Sequence, residues 1–314
     1  MKLRSRRMIL FSVLPLHALD DNVPTDDMNH SMVKLCSPCE KIKDKVFTLV
    51  GTFNGIVLMV MVVKDKRLMK GVYDTRMILY NPFTSESKIV RDPYSPCLKP
   101  NHTYGFGYGV TLDDLKIVRF RDHDLDVFSL KTNSWSTSKN FIPNANFMNE
   151  VGTFLNGFLY WIDYSSDMTI LALDVNKMAI WRAPLPPYQG SDSTYTLPRL
   201  GTLRGCLCTI KERDNNVFDV WVLEKQGVKK LWSNICSFSI GLEGNYVNKY
   251  HPINILDDGR ILMVNDSSGQ LIIYDTSKHS YKMLNSSRTF QSLRTLRGIE
   301  YVESLVSPSD LCCV

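Results

Sequence analysis

Residues 46–63 read VFTLVGTFNGIVLMVMVV, a run without a charged side chain that is near the lower limit for a membrane-spanning helix. Gly51, Thr52, Asn54 and Gly55 stand in its middle, which argues against a helix. Asn-Gly between two β-branched runs is a hairpin signal, because both central residues of a type I′ turn need positive φ. The stretch therefore predicts two strands joined at Asn54-Gly55, each apolar on both faces because it lies in a protein interior.

Working outward, similar tight-turn signals recur at Asp113-Asp114, Asn156-Gly157, Arg204-Gly205 and Asp258-Gly259, a period near 48 residues. Between each turn and the next lies a second hairpin, at residues 79–84, 127–132, 171–174, 220–223 and 272–275. An aromatic residue follows the last four of these, at Trp135, Trp181, Trp232 and Tyr281, with intervals of 46, 51 and 49. Each unit thus reads as four short strands and two hairpins, the size of a kelch-type propeller blade. A four-stranded blade has two apolar faces, and stacking like blades buries both while leaving short edges. The expected fold is all-β, a kelch-like β-propeller of about six four-stranded blades. The strand-like segments 8–16 and 299–307 are expected to meet and close the last one. The recurring rings would fill the wedges between neighbouring blades.

Composition agrees with this reading. The chain has 314 residues, 44% hydrophobic and 22% charged, which excludes a disordered, collagen-like or coiled-coil chain. Only five alanines occur, at 18, 145, 172, 179 and 183, so strands are favoured over helices. Lys+Arg 37 against Asp+Glu 32 leaves a net charge of +5, with the basic residues scattered, so no nucleic-acid footprint stands out. Residues 1–19 have the outline of a secretory signal, with Lys2, Arg4, Arg6 and Arg7 before an apolar run, but Pro15 and His17 interrupt it and a buried strand is the plainer reading. Neither this segment nor 46–63 requires a membrane.

The residues that could carry chemistry do not assemble into a motif. Cys36 and Cys39 form one C-x-x-C and Cys206 and Cys208 one C-x-C, with no second pair at zinc spacing, so reduced thiols are expected and no metal. Asp122, Asp124 and Asp126 alternate like the start of a calcium loop, yet Val127 stands where that loop needs Gly. Gly105-Phe106-Gly107-Tyr108-Gly109 lacks the dinucleotide spacing, and its glycines are better read as relieving crowding in a strand. None of the six histidines lies at a catalytic or ligand spacing from another. The expectation is a non-enzyme without cofactor; a kelch-type propeller enzyme or a carbohydrate binder is the alternative.

In such blades the first and third connections emerge at one end, the second connection and the link to the next blade at the other. The tight turns fall at one end, and the longer polar stretches 64–76, 91–104, 137–149, 182–200, 211–217 and 233–248 at the opposite one. Long loops on a rigid scaffold are where recognition usually sits. Tyr164, Tyr188, Tyr195 and Tyr246 are the candidate partner-binding residues of that long-loop face.

Several phrases resemble the plant F-box associated domain of type 1, found in F-box/kelch-repeat proteins including the pollen S-locus group. They are Ile78-Leu79-Tyr80-Asn81-Pro82-Phe83-Thr84, Tyr104-Gly105-Phe106-Gly107-Tyr108 with residues 113–119, Val127-Phe128-Ser129-Leu130-Lys131-Thr132 with Trp135, Phe154-Leu155-Asn156-Gly157-Phe158-Leu159-Tyr160-Trp161, residues 200–208, Asp219-Val220-Trp221-Val222-Leu223 with residues 227–232, and Tyr301-Val302-Glu303-Ser304-Leu305. The resemblance implies a substrate-recognition module of a cullin-type (SCF) ubiquitin ligase in the cytoplasm or nucleus, whose partner is a protein to be ubiquitinated. Nothing before Val46 resembles an F-box, so binding to the Skp adaptor is expected only if an F-box is supplied upstream. The expected organisation is an N-terminal strand and linker at 1–45 that can form part of the closing blade, the propeller domain at 46–307 and a tail at 308–314.

Overall fold

The computed structural model describes residues 6–12, 15–20, 32–38, 45–64, 72–98, 102–142, 145–147, 151–165, 168–187, 198–214, 217–226, 229–240, 250–256, 258–265, 270–284 and 298–312. It is a six-bladed β-propeller, as the repeat predicts, and every blade is a four-stranded antiparallel sheet. Two compact units divide the chain.

The first unit comprises Met1–Asn22, Met32–Ala183 and Ile299–Val314. Its second blade runs β4 (Lys45–Phe53), β5 (Ile56–Val63), β6 (Asp74–Tyr80) and β7 (Ser87–Val90). The third is β8 (Thr103–Tyr108), β9 (Leu115–Arg121), β10 (Asp124–Ser129) and β11 (Ser134–Ser138). The fourth is β12 (Thr153–Leu155), β13 (Phe158–Asp163), β14 (Thr169–Asp174) and β15 (Ala179–Pro184). The closing blade joins the two ends of the sequence, in the order β24 (Gly298–Val302), β1 (Arg7–Phe11), β2 (His17–Asp20) and β3 (Met32–Lys34). β1, β2 and β3, within residues 7–34, thus supply three strands of the closing blade.

The second unit, Val23–Ser31 and Pro184–Gly298, holds the remaining two blades. These are β16 (Arg199–Leu203), β17 (Cys206–Asp214), β18 (Val217–Gln226) and β19 (Lys229–Ser239), then β20 (Tyr250–Ile255), β21 (Arg260–Asn265), β22 (Leu271–Asp275) and β23 (Ser280–Leu284).

Residues 46–63 form the hairpin that their pattern predicts, with Phe53 paired to Ile56 across the turn. Asn54 and Gly55 have φ of 47° and 76°, and Asn156-Gly157 and Arg204-Gly205 repeat the conformation. Asn tolerates the left-handed region better than Arg does, so Arg204 is the least comfortable of the three. The second hairpins of three blades use a different device. Asn81 Oδ1 accepts from the amides of Phe83 and Thr84, Asp174 Oδ1 from those of Asn176 and Lys177, and Asp275 Oδ1 from those of Ser277 and Lys278. Four residues beyond these anchors, and beyond Ser129, stand Ser85, Met178, His279 and Asn133, all with φ near +50° to +63°. A short polar side chain at the anchor satisfies amides that would otherwise be bare in a tight turn.

Burial explains the apolar strands. β5 is buried along nearly its whole length because it packs on both faces. Its Val57, Met59 and Met61 meet Leu10, Tyr80 and Tyr301, and its Ile56, Leu58 and Val60 meet Phe106, Ile117 and Phe128 of the third blade. Trp161 of β13 is fully buried among Val118, Phe120 and Leu173. A Cβ at Gly105 would lie 2.7 Å from the Trp161 ring, so only glycine lets β8 pass over it. In the second unit Phe218 and Phe238 stack with Tyr274 between the two blades.

The recurring rings behave in two ways. Trp135 donates its indole N–H to the carbonyl of Arg91, just past the end of β7, at 2.9 Å, and Trp232 donates its own to the carbonyl of Pro184 at 2.9 Å. Trp181 and Tyr281 instead remain 44% and 36% exposed, so the wedge-filling expectation fails for them. They stand on outer strands, where a ring can cover its own sheet, as Trp181 does against Phe158 at 5.0 Å.

Candidate partner-binding face

Strand alternation places the first and third connections of each blade at one end, the tight-turn end, and the second connections and inter-blade links at the other, the long-loop end. The expected lengths do not hold throughout: Asp113-Asp114 lies in a six-residue connection between β8 and β9, whereas only residues 122–123 join β9 to β10, and within 211–217 strands β17 and β18 leave only two residues between them. On the long-loop end of the first unit, the connection after β7 crosses to the third blade and is held there by buried charge. Arg119 of β9 is fully buried. Its Nη1 donates to Asp92 Oδ2 at 2.7 Å, while Nε and Nη2 both donate to Asp126 Oδ2, at 3.1 and 2.9 Å. Asp126 also accepts from Thr137 at 2.7 Å and from Arg121 Nε at 3.0 Å. Burial alone would raise the Asp126 carboxyl, but these donors outweigh it and hold it below the ordinary carboxylate range.

Aromatic rings complete the clamp. The Arg119 guanidinium lies 5.0 Å from the Trp135 ring centroid and 5.2 Å from that of Tyr94, and Arg121 covers Tyr94 at 4.1 Å. Trp135, Arg119, Tyr94 and Arg121 therefore form one ladder of cations and rings. Tyr94 further bonds Thr137 at 3.0 Å through its hydroxyl and Asp92 Oδ1 at 2.9 Å through its amide. Ser95 donates to Asp74 Oδ1 at 2.8 Å, which ties the connection back to the second blade. The result is a connection pinned from both sides, offering Tyr94 and Leu98 to solvent.

Behind the ladder, His102 packs edge-on to Tyr104, whose buried hydroxyl has no hydrogen-bond partner among the described residues. The His102 pKa is lowered from 6.5 to about 4, chiefly by burial and then by the charge of Arg119, against the opposing pull of Asp92. The unfolded chain binds this proton at higher pH than the folded one, so stability falls as pH drops from about 6.5 towards about 4. Urea melts over that window should show the decline, and His102→Gln should flatten it; an unchanged slope in the variant would exclude His102 as its source.

Of the four tyrosines expected to bind a partner, Tyr164 is half-buried just after β13, its amide bonded to the carbonyl of Asn146 at 2.7 Å. Tyr188, Tyr195 and Tyr246 lie outside the described residues. Sequence reasoning missed Tyr94, Arg119 and Arg121; the only visible signal was alternation of Arg119 and Arg121 on one strand beside Asp124 and Asp126 on the next. That acidic alternation, weighed above as a calcium loop, is used for ion pairing with arginine. No group of three or more His, Cys, Asp or Glu among the described residues could hold a metal.

In the second unit a cavity of about 260 Å³ opens at the tight-turn end, lined by Leu203, Val222, Ile235, Cys236, Thr276 and Ser277 among others. Burial, then the charge of Asp219, pushes the Cys236 thiol up to about 11, which makes it a poor nucleophile. Thr276 and Ser277 spend their hydroxyls on Gly259 and Asp275.

Comparison with known proteins fits this architecture. F-box protein At3g16210 of Arabidopsis thaliana is 35% identical over 173 residues, 52% of this chain and 46% of that protein. The F-box/kelch-repeat protein At3g23880 of the same plant is 26% identical over 282 residues, 84% of this chain and 70% of its own length. The chain thus spans about half the length of the first relative and 70% of the second. Among solved structures, that of YjhT matches at 11% identity over 90% of this chain and 95% of its own, with a TM-score of 0.48. No helix among the described residues is long and apolar enough to cross a membrane. The model of the F-box associated beta propeller domain matches residues 14–308, and the chain belongs to that family.

Proposed function

We propose that this propeller is a protein-recognition module that holds a client on its long-loop face for ubiquitination by an SCF-type ligase, other subunits performing the transfer. Membership of the F-box associated family supports the reading, and the clamped connection at residues 91–98 is the observation that carries it. Recognition needs exposed side chains on backbone that does not move, and the ladder under Tyr94 supplies that. The domain assignment follows: the blades from residue 7 to residue 302 bind the client, and contact with the Skp adaptor belongs to an F-box supplied upstream.

Two measurements test this. The purified chain, used as bait in the plant proteome from which it is expressed, should retain a specific client, and Tyr94→Ala should weaken retention several-fold while losing only about 1 kcal/mol of stability. Capture unchanged by Tyr94→Ala would remove this connection from the contact surface. The chain alone should not bind the Skp adaptor, whereas the same chain fused behind an F-box should; direct binding without the fusion would overturn the division of labour.

A further inference from the structure

Among the described residues on the long-loop face of the first unit, the ion pairs that reach solvent expose the cation more than the acid. Lys139 is 75% exposed over Asp124 at 15%. Arg182 is 42% exposed over a fully buried Asp163, and Arg121 20% over a fully buried Asp126. Arg76 at 41% stands over Asp74 at 27%. The exposed side chain of Arg91 makes no hydrogen bond or ion pair among the described residues.

Longer cationic side chains do not by themselves produce this order. At the tight-turn end of the same unit, Asp113 and Asp114 are more exposed than their partners Lys131 and Lys116, while Arg6 is more exposed than Glu303. That end is mixed, and the long-loop end is uniform. The buried carboxylates are also fixed from below. Asp163 Oδ1 accepts the amides of Asn146 and Ser165, and Asp124 Oδ1 that of Asn140.

The groups are connected. Arg76 bonds Asp74, which accepts from Ser95; next to Ser95, Tyr94 lies under Arg121; and Arg121 shares Asp124 with Lys139. This is one ridge across the second and third blades, with Arg182 on the fourth. Exposed Tyr94, Leu98 and Met168 supply apolar surface beside it.

We propose that this ridge reads a polypeptide segment rich in Asp and Glu with apolar residues interspersed. The inference rests on the recognition role proposed above and adds the chemistry of the client. A carboxylate approaching from solvent meets Lys139 and Arg182 before the acids paired with them, although Asp74 and the exposed Asp122 lie within its reach and disfavour contact at those two points. The acid beneath each cation cancels most of its long-range field, which suits a few short, oriented contacts. A nucleic-acid backbone would instead be served by an array of uncompensated cations.

The experiment uses the full chain and four labelled probes: a peptide alternating Glu and Leu, its Lys and Leu counterpart, a neutral peptide bearing phosphoserine, and a single-stranded polyuridine. The Glu-Leu peptide should bind best, more weakly as salt rises. Lys139→Gln with Arg182→Gln should lower its affinity about tenfold. Arg182→Gln removes a counter-ion of the buried Asp163, so the melting temperature should fall somewhat even though Asn146 and Ser165 still donate to that carboxylate; affinity is therefore compared well below the melt. Lys131→Gln at the tight-turn end should change nothing. Equal binding of the lysine peptide, stronger binding of phosphoserine or RNA, or indifference to the double substitution would overturn the assignment. A chain that captures a client but ignores the Glu-Leu peptide overturns the acidic preference and leaves the recognition role standing; one that binds the peptide but captures no client supports the surface chemistry and removes the role.

Discussion

Replacing Arg119 by Met should destabilise the protein by about 3–5 kcal/mol, the loss expected when one partner of a buried ion pair is removed. The guanidinium is the shared counter-ion of Asp92 and Asp126, both buried, and Met restores volume but no charge. Asp126 keeps Arg121 and Thr137, whereas Asp92 keeps only donors from its own connection, so Asp92 is the group left exposed to the full desolvation cost. Urea unfolding of the wild type and Arg119→Met measures the loss directly. Adding Asp92→Asn to the variant should recover part of it, since a neutral amide no longer needs a counter-ion. Arg119→Lys should fall between, because an ammonium cannot reproduce the two-sided fork. A loss below about 1 kcal/mol would show that the ladder is decoration on a connection held by other means.

Asn81→Leu should be of similar size, about 3 kcal/mol or more, since buried polar groups left unpaired cost about 1–3 kcal/mol each. Asn81 is fully buried and uses its whole hydrogen-bonding capacity. Its Oδ1 caps the amides of Phe83 and Thr84, and its Nδ2 donates to the carbonyls of Ser304 at 3.0 Å and Val306 at 2.8 Å. One side chain therefore shapes a turn of the second blade and fastens the segment following β24. Ser304 adds a bond from its hydroxyl to the carbonyl of Asn54. Limited proteolysis gives the specific readout: the variant should be cut after Glu303 well before global unfolding, while Phe83→Ala, at an exposed position, should leave both cleavage and stability near wild type. Asn81→Asp keeps the turn acceptor but loses both donors, so it should release the C-terminal segment as readily as leucine does.

The contrast between these two residues shows what a sequence discloses. Asn81 is visible in the chain, because an Asn-Pro-x-Thr phrase after an apolar strand is a turn whatever surrounds it. Its second task, holding residues 304 and 306, is invisible: it depends on a closing blade that brings positions more than two hundred residues apart into contact. Arg119 gives even less warning. Read locally, it is one cation among scattered cations on a strand, and its burial follows only once the connection from the second blade delivers Asp92 and Tyr94 onto it. The aromatic repeat divides in the same manner. Spacing placed Trp135, Trp181, Trp232 and Tyr281 on equivalent strands, but that two of the indoles find a carbonyl acceptor while Trp181 and Tyr281 stay exposed is visible only in the folded chain.

By itself, then, the sequence determined the strands, the turns and the blade repeat, because those follow from side-chain period, β-branched composition and the φ demands of Asn-Gly and Asx turns, all settled within a few residues. The tertiary structure alone decided which carboxylates lie buried beneath which cations, and hence which member of each ion pair on the long-loop end of the first unit is the more exposed. Burial and pairing are properties of distant segments meeting, and no local pattern encodes the depth at which a charge will come to rest.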